Sequence, residues 1–187
     1  MIGDKTRISV NARAGRLVKA LCDDAPELRV GMSGGRLGEL LVDAGAKCPG
    51  GVAAGLRIAA ICLGGLGEVR LISDAALPRW PWTITVRTSN PVITCLASQY
   101  AGWSLSHSEG PDKFFALASG PARALARKEK LFDDLGYADH SAHAVLVLES
   151  SRPPPEPVVE KVARDCGITA ECLSIIYAPT QSLAGSV

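Results

Sequence analysis

The stretch Phe114-Phe115-Ala116-Leu117-Ala118-Ser119-Gly120-Pro121-Ala122-Arg123-Ala124-Leu125 changes character twice within a short span. Aromatic and apolar residues over 114–117 suit a strand. Ser119-Gly120 suits a tight turn, and Pro121, with its fixed φ and missing N–H, suits the first position of a helix running toward Arg127. The predicted order is strand, glycine turn, helix.

Upstream of this turn, residues 11–25 place Leu17, Val18, Leu21, Cys22 and Ala25 at helical spacing, with Asn11 as N-cap and Pro26 as the stop. Short apolar runs at 28–32 and 39–42 flank Ser33-Gly34-Gly35-Arg36, the composition of a hairpin. Residues 52–63 share an apolar face through Val52, Leu56, Ala59, Ala60 and Leu63 and stop at Gly64-Gly65. Residues 69–72 read as a strand, as does the β-branched run 83–86 after Trp80-Pro81-Trp82, and Pro91 opens a short helix through Ala97. Downstream, 144–148 is an apolar run suited to a buried strand. The segment Arg152-Pro153-Pro154-Pro155-Glu156-Pro157 is too rich in proline for regular structure and marks a surface connection. Val158, Val159, Val162, Ala163 and Cys166 share a helical face over 158–166, and 173–177 reads as a last strand. Helices and strands interleave throughout, which predicts an α/β class, α+β-like in detail, with a mixed β-sheet and flanking helices. The expected division is a domain over 1–150 and a connecting segment over 151–187. No internal repeat recurs at a fixed period.

The chain of 187 residues is 47% hydrophobic and 21% charged, enough apolar content for one sizeable core or two small ones. The first thirty positions mix Asp4, Lys5, Arg7, Arg13, Arg16 and Lys19 with apolar residues, so neither a secretory signal nor a membrane span is expected, and the expected location is the cytoplasm. The net charge of +1 and three each of Phe, Tyr and Trp leave no electrostatic footprint for nucleic acid. Cysteines 22, 48, 62, 95, 166 and 172 form no CxxC pair and read as small buried thiols rather than zinc ligands or disulfide partners.

Chemistry concentrates around turns. At Ser119-Gly120 a helix start presents unpaired N–H groups, glycine permits close backbone approach, and Ser119 and Arg123 add a hydroxyl and a guanidinium, so an anion or polar ring could dock. The same residues fit a Ser119 cap with Arg123 paired on the surface. A second cluster joins Thr88-Ser89-Asn90-Pro91 to Ser98-Gln99-Tyr100-Ala101-Gly102-Trp103. Gln99 offers a donor and an acceptor for a heterocycle edge and the aromatics offer stacking, or the cluster is loop capping with core aromatics. Cys48-Pro49-Gly50-Gly51 and Leu63-Gly64-Gly65-Leu66-Gly67 lack nucleotide-loop spacing and read as helix boundaries. His140 and His143 lie three apart in a polar loop with Asp139 and no third ligand nearby, and His107 sits in the polar loop Ser106-His107-Ser108-Glu109-Gly110. Neither reads as a metal or catalytic centre. No GxSxG elbow is present.

Taken in order, Ser9-Val10-Asn11, Val42-Asp43-Ala44-Gly45, Cys48-Pro49-Gly50, Ala54-Gly55, Cys62-Leu63-Gly64-Gly65-Leu66, the runs 95–103 and 115–125, Ala178-Pro179-Thr180 and Leu183-Ala184-Gly185-Ser186-Val187 resemble the methenyltetrahydromethanopterin cyclohydrolase family over nearly the whole chain. The run 97–107 looks like the bacterial branch serving formaldehyde oxidation. Asn90, Leu63 and Ala118 depart from the usual histidine, methionine and glycine.

The resemblance implies reversible hydrolysis of 5,10-methenyltetrahydromethanopterin to the 5-formyl derivative, with no metal, no resident cofactor and a homo-oligomer, a trimer. It also implies that this chain is the first of two related domains with the pterin in the cleft between them. The arginine and glutamate suited to water activation would then lie beyond Val187, and no proton-transfer group is assigned within this chain. Asp43 and Glu68, carboxylates beside glycine turns, are not assigned as the base. The expected substrate-binding residues are Ser98, Gln99, Ser119, Gly120 and Arg123, with Thr180 and Ser182 near the domain junction. Arg123→Ala is accordingly expected to weaken binding more than folding. The alternative is a non-catalytic pterin- or phosphate-binding domain, or an inactive fragment.

Overall fold

The computed structural model describes residues 8–73, 82–109 and 113–187. Trp80, Pro81 and Gly110, quoted above, lie outside the described residues. A six-stranded sheet runs in the order β1 (Gly31–Gly34), β2 (Leu40–Asp43), β8 (Leu173–Ala178), β7 (Ala144–Glu149), β6 (Phe114–Ser119), β5 (Trp103–His107). The core strands β2, β8 and β7 are parallel, and the outer pairs are antiparallel. Strands β3 (Gly67–Ser73) and β4 (Trp82–Thr88) pair separately as an antiparallel hairpin. The mixed sheet with flanking helices agrees with the predicted class.

Strand periodicity decides which helices cover which face. Ala144, Leu146 and Leu148 of β7 join Leu173, Ile175 and Tyr177 of β8 on one face, where α6 (Glu156–Cys166) packs through Val158, Val159, Val162 and Cys166. Val145 and Val147 alternate with them and join Ile176 and Ala178 on the other face. Helix α1 (Val10–Asp23) covers that face through Ala14, Val18 and Leu21, and α3 (Val52–Cys62) through Ala54, Ile58 and Ile61. Parallel strands covered on both sides read as near-continuous apolar runs, which is why 144–148 and 173–177 were recognisable.

Several expectations are corrected. The cap of α1 is Ser9, whose Oγ accepts from the Ala12 N–H at 3.1 Å. Asn11 is fully buried instead. Its Nδ2 donates to Pro121 O and Asp139 Oδ2, both at 2.8 Å, and its Oδ1 accepts from Val145 N at 3.0 Å. Pro26 opens the short helix α2 (Ala25–Leu28) rather than simply ending α1. His107 ends strand β5, in which Trp103 and Leu105 are buried and Ser104 and Ser106 exposed. Its polar alternate residues disguised a half-buried strand as a loop. Helix α5 (Leu131–Leu135), anchored by buried Phe132, carries too short a pattern to be seen in sequence. The helix and last strand expected at 158–166 and 173–177 are α6 and β8, and β8 lies between β2 and β7 inside the sheet. Residues 92–99 form a π-helical segment, closed by a hydrogen bond from Tyr100 N to Cys95 O at 2.8 Å, rather than a helix ending at Ala97. No helix among the described residues is long and apolar enough to cross a membrane.

Asn11 pins α1 to β7 and to the loops at Pro121 and Asp139, so its removal strands several buried partners. Asn11→Ala should lower unfolding free energy by about 2–3 kcal/mol in denaturant titration. A loss within the few tenths typical of surface sites would refute that role.

Candidate functional site

The face of the sheet that carries α1 and α3 is only partly covered. Beyond α3, a cleft of about 290 Å³ opens between Ile58, Ala59 and Cys62 of α3, Leu117 and Ser119 of β6, Val147 and Glu149 of β7, and Ala178 of β8. Gln99, at the end of the π-helical segment, and Thr180, after β8, complete its polar rim, and Val187 contributes to its apolar wall. The wall is mostly apolar, with a few convergent polar groups, which is the usual character of a small-molecule site.

Of the expected site residues, the structure brings Gln99, Ser119 and Thr180 together on this cleft. Ser119 Oγ donates to Gln99 O at 2.6 Å, which fixes the rim where β6 meets the π-helical segment. Thr180 Oγ1 donates to a carboxylate oxygen of Glu149. Glu149 had not been singled out. Its signal in the sequence is a carboxylate closing the buried run 144–148, on the same strand face as Val145 and Val147.

Ser98, Gly120, Arg123 and Ser182 lie behind the wall rather than on it. Ser98 is fully buried and its Oγ donates to Cys62 O at 2.6 Å. Gly120 adopts φ +98°, and a Cβ there would stand 3.2 Å from Val145 O, so the turn needs glycine. Its N–H, expected to be open to an anion, donates to Ser98 O at 2.9 Å. Ser182 Oγ donates to Pro179 O at 2.8 Å and accepts from Gly185 N at 3.0 Å, shaping the segment after β8.

Arg123 reverses its expected role. It is 0% exposed. Nε and Nη2 form a bidentate pair with Glu129 at 2.7 and 2.6 Å, while Nη1 donates to Leu96 O at 3.1 Å and Ser98 O at 3.0 Å. The guanidinium also lies 5.4 and 5.5 Å from the ring centroids of Tyr100 and Phe132. Its charge and donors are consumed inside the protein, and neither a surface pairing nor a docked anion describes it. A one-dimensional pattern could not reveal this, because the partners come from 96–100 and 129–132.

The remaining carboxylates named from sequence are also occupied. Asp43 accepts from the N–H groups of Gly45, Ala46, Lys47 and Cys48 at 2.7–3.3 Å. Burial pushes its pKa up, but these four backbone donors outweigh it and hold the carboxyl below the usual range. Glu68 pairs with Arg70 on the β3–β4 hairpin, Nε to Oε1 at 2.7 Å. Asp139 is engaged by Asn11, and among the described residues no group of three His, Cys, Asp or Glu could hold a metal ion. Burial pushes the Cys62 thiol up to about 11, despite the Ser119 hydroxyl beside it, so it lines the cleft as a neutral group.

Two outcomes follow from this geometry. Removing one partner of a buried ion pair leaves an uncompensated charge, so Arg123→Ala should cost about 3–5 kcal/mol of stability in denaturant titration. Arg123→Lys should recover little, because an ammonium cannot reproduce the fork. Near-wild-type stability of either variant would refute the structural role. For Asp43, a depressed folded pKa contributes stability above the unfolded value that is lost as pH falls through the folded one. Urea unfolding from pH 6 downward should therefore show wild type losing stability below about pH 4, more steeply than Asp43→Asn. Parallel curves would contradict the assignment.

The comparisons with known proteins give the family. The family model described as Cyclohydrolase (MCH) matches residues 9–187. The chain is 54% identical over 179 residues to a methenyltetrahydromethanopterin cyclohydrolase of Methylobacillus flagellatus, covering 96% of this chain and 54% of the relative. It is 52% identical to that of Methylobacterium sp. strain 4-46, covering 100% and 57%. The corresponding figures for Methanosarcina barkeri are 41%, 96% and 55%. The chain thus spans about half the length of the curated relatives it matches. With the family match running through every element that builds the cleft, the chain belongs to the cyclohydrolase (MCH) family.

Proposed function

We propose that the chain takes part in the reversible hydrolysis of 5,10-methenyltetrahydromethanopterin to the 5-formyl derivative, and that the cleft beneath α3 forms one wall of the pterin site. The observation that carries this reading is the family match over 9–187 together with the gathering of Gln99, Ser119 and Thr180 on one mostly apolar cleft. The substrate is a delocalised amidinium cation whose bridging carbon is already electrophilic. A water oxygen adds to that carbon and loses one proton to a base, and as the bond from the carbon to N10 breaks the second water proton passes to N10, leaving the formyl group on N5. The protein must hold the pterin, position the water and accept the proton. On this chain the apolar wall suits the ring, and Gln99, Ser119 and Thr180 suit its polar edges. Ser98, Gly120, Arg123 and Ser182 hold that wall in shape.

The family resemblance extends the proposal to a cytoplasmic homotrimer, and to a second related domain that closes the cleft and brings the proton-transfer group. The reaction needs no metal or redox cofactor.

Saturating methenyltetrahydromethanopterin, at about a hundredfold over its Kd, should stabilise this chain by roughly 2.7 kcal/mol, a rise of about 5–10 °C in melting temperature. Loss of the methenyl absorbance should be slow with this chain alone and fast once the second domain is supplied. No thermal shift and no turnover in either form would overturn the reading.

A further inference from the structure

Among the described residues that line the cleft, Glu149 is the only charged side chain. Its place follows from strand geometry. Val145 and Val147 point to the α1 and α3 face, and the next residue of that phase extends past the cover of α3 into open space. Thr180 donates its hydroxyl to Oε1, which holds the carboxylate in one orientation and leaves Oε2 without a donor among the described residues. An acceptor-only group in such a wall suits a ligand edge that carries N–H donors.

A pterin supplies that edge. Its aminopyrimidinone ring presents the N3–H and the exocyclic 2-amino group side by side, two parallel donors matched to the two oxygens of one carboxylate. The amidinium bridge of the same substrate has charge but no N–H, because both of its nitrogens are fully substituted. A carboxylate placed against the bridging carbon would also compete with water as a nucleophile.

We propose that Glu149, steadied by Thr180, recognises the aminopyrimidinone edge of the pterin and so selects the ligand class of this site. The assignment rests on the pterin reading above. Because substrate and product share that edge, Glu149 contributes to the binding of both and does not distinguish the cationic from the uncharged state.

The test is calorimetric titration of this chain with two probes, tetrahydromethanopterin, which has no charge at the bridge, and its 5,10-methenyl cation. Glu149→Gln keeps the shape but replaces one acceptor with a donor, and should weaken both probes by a similar factor of about ten or more. Thr180→Val should weaken both by roughly two- to fivefold, the effect of one lost neutral hydrogen bond. Wild-type affinity in Glu149→Gln would overturn the assignment, and so would a loss confined to the methenyl cation, which would make Glu149 a counter-charge to the bridge. Should Glu149→Gln fail to fold, Thr180→Val decides, since unchanged affinity there would overturn the role. A wild-type chain that binds neither probe would remove the pterin reading itself, and this assignment with it.

Discussion

One buried guanidinium ties together three parts of the chain that also share the apolar cluster of Ala97, Ala124 and Phe132. Arg123 is drawn into the interior by Glu129, stacked between Tyr100 and Phe132, and tied to the carbonyls of Leu96 and Ser98. The last turn of a helix leaves carbonyls without an internal partner, and arginine can serve two of them while keeping a bidentate carboxylate. Since Ser98 O also accepts the Gly120 N–H, the β6–α4 turn (α4, Ala122–Ala126) and the π-helical segment form one rigid corner. The Ser119 to Gln99 contact on the cleft is the outer face of that corner. Precision at the rim therefore depends on an ion pair that solvent does not reach.

Asn11 plays the corresponding part for α1. A buried amide has several hydrogen-bonding groups to satisfy, and this one reaches Pro121, Asp139 and Val145 at once. Packing of α1 and α3 against the β8–β7 core supplies non-directional cohesion, whereas Asn11 fixes where along the sheet α1 comes to rest. Among the described residues no buried side-chain nitrogen or oxygen is left without a partner.

Periodicity made the sheet core and the long helices legible, because a run such as 144–148 or the apolar face of 158–166 states its own environment. The glycine turn at 119–120 was legible for a similar reason, since its conformational demand is local. Roles that depend on remote partners were not. Asn11 looks like a cap and Arg123 like an anion ligand when only neighbours are considered, and both become interior residues once segments more than twenty positions away arrive. Glu149 escaped notice for the opposite reason. Nothing around it in sequence suggests chemistry, and its meaning comes from the face of the strand on which it falls.

The placement of β8 between β2 and β7 bears on how the molecule comes into being. Strands β2 and β7 are not neighbours, and each finds its parallel partner only in residues 173–178. During synthesis the earlier strands and helices must wait as an unfinished platform with two exposed backbone edges. Parallel pairing over such separations is slow and prone to association while it waits. Helix α6, just ahead of β8 in the chain, packs on one face through Val158, Val159, Val162 and Cys166, and β8 then joins the two halves of the sheet. The cleft, whose floor includes both β7 and β8, takes shape only where β8 is seated between its neighbours.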